Sequence, residues 1–212
     1  MLKSQLKSAI GRLMPGVVLV KGRSVGKPRV SLTFDDGPHP EHSPRLLDTF
    51  AREGIKVSFF VVGADAERHP ELVRRMLAEG HEVANHSYDH YKVRKMDDAA
   101  YLADLLRCQQ VLDDITGQQM PLVLRPPYGI MRTRTTLALA RRGYRHILWS
   151  QDSDDSAFEG GAGFAAHLAA KPISDGDIVL LHEDYAHTVD DMPQIIADLR
   201  QRGFDMVRSC DL

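Results

Sequence analysis

The alternation of short apolar runs with amphipathic stretches restricts the fold of this sequence more than any other feature. The apolar runs predict strands, and the amphipathic stretches, most of which end at a glycine, predict helices. Strands that alternate with helices favour parallel pairing. The predicted strands are 29–34, 56–62, 81–85, 121–125, 144–150, 177–181 and 204–207, and the predicted helices are 43–53, 70–79, 97–116, 132–142, 162–170 and 191–202. Both a barrel and an open sheet satisfy this pattern.

The composition is that of an ordinary globular protein. Of the 212 residues, 43% are hydrophobic and 26% are charged, which argues against global disorder. The formal net charge of −2 gives no electrostatic reason to expect nucleic acid as a partner. The two cysteines, Cys108 and Cys210, show no metal-binding spacing, and we expect free, mostly buried thiols rather than a disulfide.

Residues 1–27 are expected to form an amphipathic arm that precedes the domain. The apolar residues of its first half share one helical face, and these are Leu2, Leu6, Ala9, Ile10 and Leu13. Such a helix can dock on the domain or rest on an anionic membrane surface, and the sequence leaves both alternatives open. The arm lacks the uninterrupted apolar core of a signal peptide or a membrane span, so we expect a cytoplasmic protein that could contact the membrane peripherally.

The unusual polar residues of the chain all follow predicted strands. They are Asp35 and Asp36 after the first strand, His86 and His90 after the third, Arg125 at the end of the fourth, Asp152, Asp154 and Asp155 after the fifth, and His182 after the sixth. Active sites of α/β barrels and open sheets are built at the C-terminal ends of parallel strands. The sequence therefore predicts one active site at this edge.

Asp36, His86 and His90 predict a metal site. The two histidines are four residues apart, so a helical turn would bring both imidazoles to one side. Such a pair is a weak signal by itself, but two histidines with one carboxylate form a common catalytic zinc shell. Cobalt, nickel and iron are alternatives, because ligand type alone rarely decides the metal. Near a bound cation, Asp35 would stay ionised and could take a proton from the attacking water.

Arg125, in the segment RPPYG, carries a fixed guanidinium at the end of the fourth strand. It could hold Asp35 in place through charge-assisted hydrogen bonds. The alternative is a structural ion pair with Asp152 or Asp155 after the fifth strand. Both can hold at once, because one arginine can bridge two carboxylates.

Tyr128 and His182 complete the predicted chemistry. The prolines before Tyr128 stiffen its loop, which could aim the backbone N–H of Tyr128 at a developing oxyanion. His182, in the segment IVLLHED, could donate a proton to the leaving group. Glu183 and Asp184, which follow His182, are expected to cap a helix or to face solvent.

Taken together, these segments closely resemble the motifs of the polysaccharide deacetylases, carbohydrate esterase family 4, from roughly Pro28 to the C-terminus. TFDDGP resembles the first family motif, HSYDH the second, RPPYG the third and LLH the fifth. The resemblance implies one catalytic domain, 28–212, with a distorted (β/α)7 barrel. It also implies Asp35 as the catalytic base, Asp36, His86 and His90 as metal ligands, Arg125 as the residue that orients the base, Tyr128 as an oxyanion donor, Leu180 as part of the acyl pocket, and His182 as the general acid.

The fourth motif departs from the family pattern. The family commonly has two aspartates followed directly by tryptophan, whereas the segment DSDDS gives Asp152, Asp155 and then Ser156. If Asp155 is the partner of Arg125, the electrostatic part of the motif is kept. The missing indole is expected to leave one wall of the pocket smaller or more open, which affects substrate preference more than catalysis.

The resemblance implies a metal-dependent hydrolase that removes N-acetyl groups from the amino sugars of a glycan or of a lipid-linked glycan intermediate. Two alternatives stay open at this point. One is hydrolysis of a non-sugar amide or of an O-acetyl ester, which the same metal centre could perform. The other is a catalytically idle glycan-binding domain of the same fold, and the presence of all the residues named above for metal, base and acid argues against it.

Overall fold

One sheet of parallel strands organises the chain in the computed structural model, which describes residues 14–23, 26–158 and 163–212. The strand order across the sheet is β1-β6-β5-β4-β3-β2-β8-β7, and β9 pairs with β2. The strands are β1 (Val18–Leu19), β2 (Arg29–Gly37), β3 (Ser58–Val61), β4 (Glu82–Asn85), β5 (Val123–Leu124), β6 (Arg145–Ile147), β7 (Gln151–Asp152), β8 (Asp177–His182) and β9 (Asp205–Met206).

Helices connect the strands and cover the outside of the sheet. They are α1 (His42–Glu53), α2 (Gly63–Arg68), α3 (Pro70–Ala78), α4 (Asp98–Thr116), α5 (Thr133–Ala140), α6 (Phe164–Ala169), α7 (Ala186–Asp190) and α8 (Met192–Gln201). Each predicted strand and helix has a counterpart among them. Gly54 and Gly117 end α1 and α4 in the left-handed conformation, with φ of 62° and 69°. The sequence analysis missed β1, β7, α2 and α7, because segments of two to six residues show too little periodicity.

The connection between β6 and β7 curls the sheet into a barrel. β7 lies at one end of the strand order and β6 lies next to the other end, yet only residues 148–150 separate them. A link this short spans roughly 10–14 Å. The backbone N–H of Leu148 donates to the carbonyl of Leu19 at 2.8 Å, and that of Ser150 donates to Ile178 at 3.1 Å. The predicted distorted (β/α)7 barrel is confirmed, and the open-sheet alternative is wrong.

Alternation along the strands divides the buried residues into two layers. The outer layer packs between sheet and helices, where Phe34, Phe50 and Phe59 contact one another with ring centroids 5.4–6.2 Å apart. The inner layer fills the barrel and includes Phe60, Ala84, Ile147 and Ile178. Residues an even number of positions apart on a strand point to the same face. Asp35 lies four residues after Ser31 on β2, and His182 lies four residues after Ile178 on β8, so both point to the inner face at the C-terminal end of the barrel.

Strand β1 falls within the predicted N-terminal arm, 1–27, and its two residues pair with His146 and Ile147 of β6. Residues 1–13 lie outside the described ranges. The amphipathic helix and the boundary at residue 28 therefore stay predictions. Among the residues described, no helix has both the length and the apolar character needed to cross a membrane.

Both cysteines are free thiols, as predicted. Cys108 lies on α4 inside the outer core layer, and its burial raises the pKa of the thiol far above the usual range. Cys210 is exposed near the C-terminus, so the expectation of burial is wrong for this residue. It lies in a short 3-10 turn, Ser209–Asp211, that leaves its side chain at the surface.

Candidate active site

A bulge in β2 brings both Asp35 and Asp36 to the site. Neighbouring residues of a regular strand point to opposite faces of a sheet. In the pairing with β3, Asp35 lies opposite Phe60 and Gly37 lies opposite Val61, so Asp36 is an extra residue without a partner in that ladder. Asp36 adopts a left-handed backbone with φ of 67°, which costs a non-glycine residue about 1–2 kcal/mol. The bulge turns the second carboxylate to the side of the first.

Arg125 holds Asp35 from the interior of the barrel. Its side chain is 0% exposed, and Nη1 donates to Oδ1 of Asp35 at 2.7 Å and to Oγ1 of Thr33 at 2.9 Å. The other guanidinium nitrogens donate to the carbonyls of Ile147 at 3.1 Å and Leu148 at 3.2 Å. With its donors engaged on several sides, the guanidinium is fixed, and it fixes the Asp35 carboxylate in turn.

Asp36, His86 and His90 converge on one point above the barrel. Oδ1 of Asp36 lies 3.4 Å from Nε2 of His86 and 3.3 Å from Nε2 of His90, and the three ligand atoms lie within 4.8 Å of one another. These distances are long for hydrogen bonds and suit three ligands of one ion. Oδ1 of Asp36 is buried and has no hydrogen-bond donor among the residues described. The geometry and the donor set therefore fit a divalent metal.

The protonation of Asp36 and His90 also favours a cation. Nδ1 of His86 donates to the carbonyl of Arg125 at 2.8 Å, which directs Nε2 at the metal position. Burial lowers the pKa of His86, but the Asp35 and Asp36 carboxylates outweigh it and raise that pKa, and a bound cation would take the place of the Nε2 proton. Burial raises the pKa of Asp36, but the His86 imidazole outweighs it and brings that pKa down to about 2. Burial and the neighbouring His86 lower the pKa of His90 to about 4. An ionised aspartate and a neutral histidine are the forms that bind metal.

His182 stands beside Asp35 because the two residues are partners in the parallel pairing of β2 with β8. Its Nδ1 donates to Oδ1 of Asp155 at 2.7 Å, so Nε2 is the ring nitrogen left for the site. Asp155 is 1% exposed and also accepts the backbone N–H of His182 at 2.7 Å and the hydroxyl of Thr188 at 3.2 Å. Burial lowers the pKa of His182, but the hydrogen bond and charge of Asp155 outweigh it and raise that pKa to about 9.

The structure contradicts the alternative that Arg125 pairs with Asp155. Arg125 donates to Asp35, and Asp155 binds His182 on the next strand. Asp152, the other aspartate considered for Arg125, accepts a hydrogen bond from Nε1 of Trp149 at 3.2 Å. The reason is local: the 3-10 turn Asp155–Ala157 follows β7, which pairs directly with β8, and so it places Asp155 behind the His182 ring.

Comparison with known families identifies the chain. A family model described as polysaccharide deacetylase matches residues 22–147. The chain belongs to the polysaccharide deacetylase family. Enzymes of this family depend on a metal ion, and Asp36, His86 and His90 form a site that fits one.

Two curated relatives illustrate the similarity. The chain is 34% identical over 179 residues to a peptidoglycan-N-acetylglucosamine deacetylase of Listeria monocytogenes, with 84% of this chain and 37% of the relative covered. It therefore spans little more than a third of that protein. It is also 34% identical over 195 residues to a chitooligosaccharide deacetylase of a Bradyrhizobium strain, with 85% of this chain and 89% of the relative covered.

Solved structures agree with the barrel. The peptidoglycan deacetylase PdaC of Bacillus subtilis superposes with a TM-score of 0.80 at 27% identity, covering 88% of this chain and 90% of that chain. A Bacillus anthracis protein described as a pseudoenzyme of carbohydrate esterase family 4 has a TM-score of 0.82 at 22% identity, covering 94% of this chain and 69% of that one. At this identity, the similarity to the Bacillus anthracis protein shows the fold alone, and only the residues of the site bear on catalysis.

Tyr128 lies next to His90, and Leu180 lies on the inner face of β8. Tyr128 has a left-handed backbone with φ of 58°, and its ring lies 4.6 Å from the ring of His90 and 4.1 Å from the guanidinium carbon of Arg94. It is 42% exposed and so forms a rim beside the metal position. Leu180 is buried on β8, two residues before His182 and therefore on the same inner face.

A tyrosine from another loop forms an aromatic wall beside His182. Ser156 follows Asp155, where the deacetylase family commonly has tryptophan, and it is exposed. The ring of Tyr185, from the loop after β8, stands at 86° to the His182 ring with centroids 5.9 Å apart. It stacks on His187 at 5.6 Å with an interplanar angle of 18°. The sequence analysis did not identify Tyr185, because its position depends on how that loop folds over His182.

Glu183 is the second residue that the sequence analysis missed. The expectation that it would cap a helix or face solvent is wrong, since it is 0% exposed; Asp184 is exposed, as expected. The side chain of Glu183 accepts a hydrogen bond from the hydroxyl of Ser43. Burial raises the pKa of Glu183 to about 8 even though that hydrogen bond lowers it. The sequence offered one indication that Glu183 lies close to the site, namely its position directly after His182 at the end of a strand.

Proposed function

We propose that this protein is a zinc-dependent hydrolase that removes N-acetyl groups from the amino sugars of a glycan or of a lipid-linked glycan intermediate. The observation that carries this proposal is the pairing of Asp35 with His182 across β2 and β8, beside the cluster of Asp36, His86 and His90. Hydrolysis of an unreactive amide needs a base, an acid and an electrophile around one carbonyl. The two relatives are a peptidoglycan-N-acetylglucosamine deacetylase and a chitooligosaccharide deacetylase, which supports acetylated amino sugars as the substrate class.

Asp36, His86 and His90 would hold the metal ion. When bound, the ion supplies Lewis acidity, which polarises an acyl oxygen and makes water a stronger acid. Two imidazoles and one carboxylate are a common zinc donor set, which makes zinc the first metal to test, and cobalt, nickel and iron accept the same ligands.

Asp35 acts as the base in this proposal. Arg125 occupies its Oδ1 at 2.7 Å, which leaves Oδ2 to accept a proton from the attacking water. The water oxygen then forms a bond to the acyl carbon. Because Arg125 neutralises part of the charge and holds the carboxylate still, little reorganisation is needed when the proton arrives.

His182 acts as the acid. Its Nδ1 is held by Asp155, so the proton that leaves is the one on Nε2. As the C–N bond breaks, this proton moves to the amine nitrogen, and the products are acetate and a free amino sugar. The pKa of about 9 keeps His182 protonated at neutral pH, as an acid requires.

Three further residues are assigned to substrate binding. The backbone N–H of Tyr128 would donate to the oxyanion, and Leu180 would contact the acyl methyl group. Tyr185 would offer its ring to the sugar or acyl group from the side of His182. The Tyr185 ring is half-buried, and its free part adds the large apolar surface that aromatic side chains bring to binding sites.

The N-terminal arm motivates a separate proposal of cytoplasmic location with peripheral membrane contact. Its support is the amphipathic pattern of residues 1–13 together with three basic side chains, Lys3, Lys7 and Arg12. The test is co-sedimentation with anionic vesicles of the full chain and of a chain lacking residues 1–14. Weaker sedimentation of the shortened chain supports the proposal, and equal sedimentation of both removes it.

Acetate release tests the proposed function. The full chain is incubated with chitooligosaccharides, peptidoglycan fragments and lipid-linked N-acetyl amino sugars, each with added Zn²⁺ and with a chelator. O-acetylated sugars and acetylated peptides serve as controls for ester and non-sugar amide hydrolysis. Chelator-sensitive release from an N-acetyl sugar supports the proposal. Release confined to the control substrates, or metal binding with no release from any substrate, contradicts it.

A further inference from the structure

Glu183 is buried directly behind the loop that carries Asp36. As the residue after His182, it directs its side chain away from the barrel interior and toward the start of α1. There it accepts a hydrogen bond from the hydroxyl of Ser43. The same hydroxyl accepts the backbone N–H of His39 at 2.8 Å. A chain of hydrogen bonds thus links Glu183 to the turn between β2 and α1.

The carboxyl group of Glu183 also presses against Gly37, the residue that follows Asp36. A Cβ atom at Gly37 would collide with the carboxyl carbon and both carboxyl oxygens of Glu183. On the other side of Asp36, the carbonyl of Asp35 accepts the backbone N–H of Glu183 at 3.1 Å. The carbonyl of Glu183 accepts a hydrogen bond from Nδ1 of His42 at 2.6 Å. Glu183 therefore contacts the chain immediately before and immediately after Asp36.

These contacts bear on a strained position. Asp36 is the extra residue of the bulge and has a left-handed backbone, so nothing in the β2–β3 ladder holds it. Strained residues persist only when their surroundings leave no alternative conformation. Glu183 fills the space into which the Gly37 backbone would move if the bulge relaxed.

We propose that Glu183 is a positioning residue for the metal ligand Asp36. Packed against Gly37 and joined to Ser43, it holds the bulge so that Oδ1 of Asp36 stays near Nε2 of His86 and of His90. This inference rests on the proposed function in one respect only, namely that the cluster binds a metal ion. It concerns metal affinity and not the identity of the substrate.

The environment of Glu183 indicates which variant preserves its contacts with Gly37 and Ser43. With a pKa of about 8, raised by burial, the group is mostly a neutral carboxylic acid at pH 7. A neutral amide of the same shape can accept the Ser43 hydrogen bond and fill the same space. Alanine can do neither. Glu183→Gln is therefore the conservative variant, and Glu183→Ala removes both the packing on Gly37 and the hydrogen bond with Ser43.

The test measures Zn²⁺ affinity of the full chain by competition with a chromophoric chelator, and the visible spectrum after Co²⁺ loading. The matched control is Glu82→Ala, because Glu82 also accepts hydrogen bonds from serine hydroxyls, those of Ser58 and Ser209 at 2.6 Å, but lies at the N-terminal end of β4. We expect Glu183→Ala to bind Zn²⁺ at least tenfold more weakly with an altered Co²⁺ spectrum. Glu183→Gln and Glu82→Ala should stay within about threefold of the wild type.

Two results would overturn the proposal. One is wild-type Zn²⁺ affinity in folded Glu183→Ala. The other is an equal loss of Zn²⁺ affinity in Glu183→Gln and Glu183→Ala, which would show that the charge of Glu183 matters and not its contacts with Gly37 and Ser43. If Glu183→Ala does not fold, Ser43→Ala replaces it, with at least threefold weaker Zn²⁺ binding expected and unchanged binding contradicting the proposal. Failure of the proposed function looks different: the wild type would bind Zn²⁺ normally and release no acetate.

Discussion

The carbonyl oxygen of Arg125 accepts a hydrogen bond from Nδ1 of His86 at 2.8 Å, while the guanidinium of Arg125 binds Asp35 at 2.7 Å. One buried residue therefore fixes both the proposed base and an imidazole of the metal site. Its side chain also fills the barrel interior, where its guanidinium lies 4.0 Å from the ring centroid of Phe60. Catalytic geometry and barrel packing depend on the same residue.

Arg125→Lys should damage both stability and catalysis. Lysine keeps the charge but has only three donors and no planar fork, so at least one of the four acceptors on Asp35, Thr33, Ile147 and Leu148 loses its donor. An unsatisfied buried acceptor costs about 1–3 kcal/mol. We expect a clearly lower Tm and a kcat/KM at least about 100-fold lower. Thermal unfolding and acetate release measure these, and native values for both would contradict the role of Arg125.

A control for Arg125→Lys is available at Arg202. This arginine is half-buried and donates to the carbonyl of Ile173 at 3.0 Å, on the outside of the barrel. Arg202→Lys should lower the Tm slightly and leave kcat/KM within about twofold.

The segments that follow the strands could be predicted to meet, and they do. Parallel strands end at one edge of a sheet, so a polar residue at each strand end reaches the same place whether the sheet is open or closed. This is why the positions of Asp35, His86, Arg125 and His182 follow from the strand pattern alone. Barrel closure did not follow from it, because the decisive feature is the short crossing between β6 and β7.

Side-chain partners were harder to predict than positions. Asp155 lies after the fifth predicted strand, and its distances to Arg125 and His182 depend on a 3-10 turn without a sequence period. The bulge at Asp36 depends on a backbone conformation that the sequence indicates only through the adjacent Gly37. From the sequence, Glu183 is indistinguishable from an ordinary polar loop residue. It is buried because α1 packs against the end of β8, which the sequence pattern does not indicate.

Asp155→Asn should move the alkaline limit of activity to lower pH. The acid His182 must be protonated, and the Asp155 carboxylate raises the pKa of His182 to about 9. Without that charge the imidazolium is less stable, so its pKa falls and the active form disappears at lower pH. We expect the alkaline limb of the kcat/KM profile to shift by at least about one unit. An unmoved limb would show that His182 does not set it.

Tyr185 should affect substrate binding more than the chemical step. Tyr185→Ala removes the ring that stands beside His182, and we expect KM for a chitooligosaccharide to rise about fivefold to tenfold with kcat within about threefold. Tyr185→Phe keeps the ring and should behave like the wild type. If both variants lose activity equally, the hydroxyl matters and the proposed wall is wrong.

Glu183→Gln should change how stability depends on pH. Burial raises the pKa of Glu183 in the folded protein to about 8, above the ordinary value of 4.5, and the charges of Asp184 and Asp36 add to this rise. An acid with a raised pKa binds its proton more tightly when folded, so the stability it contributes is lost as pH rises from 4.5 toward 8.

The wild type should therefore lose stability relative to Glu183→Gln by roughly 1 kcal/mol or more over that interval. Urea unfolding of both proteins at pH 5 and pH 8, with a chelator present, measures the difference. A difference that is the same at both pH values would mean that Glu183 is already ionised in the folded protein.

Asp35 is the proposed base beside a metal held by Asp36, His86 and His90. The most direct test of this role is to measure bound zinc and acetate release on the same samples of wild type and Asp35→Asn, with a chitooligosaccharide or whichever N-acetyl sugar the wild type hydrolyses. We predict zinc near one equivalent in both proteins and a loss of turnover of about 100-fold or more in Asp35→Asn. Near-normal turnover by zinc-loaded Asp35→Asn would contradict this role.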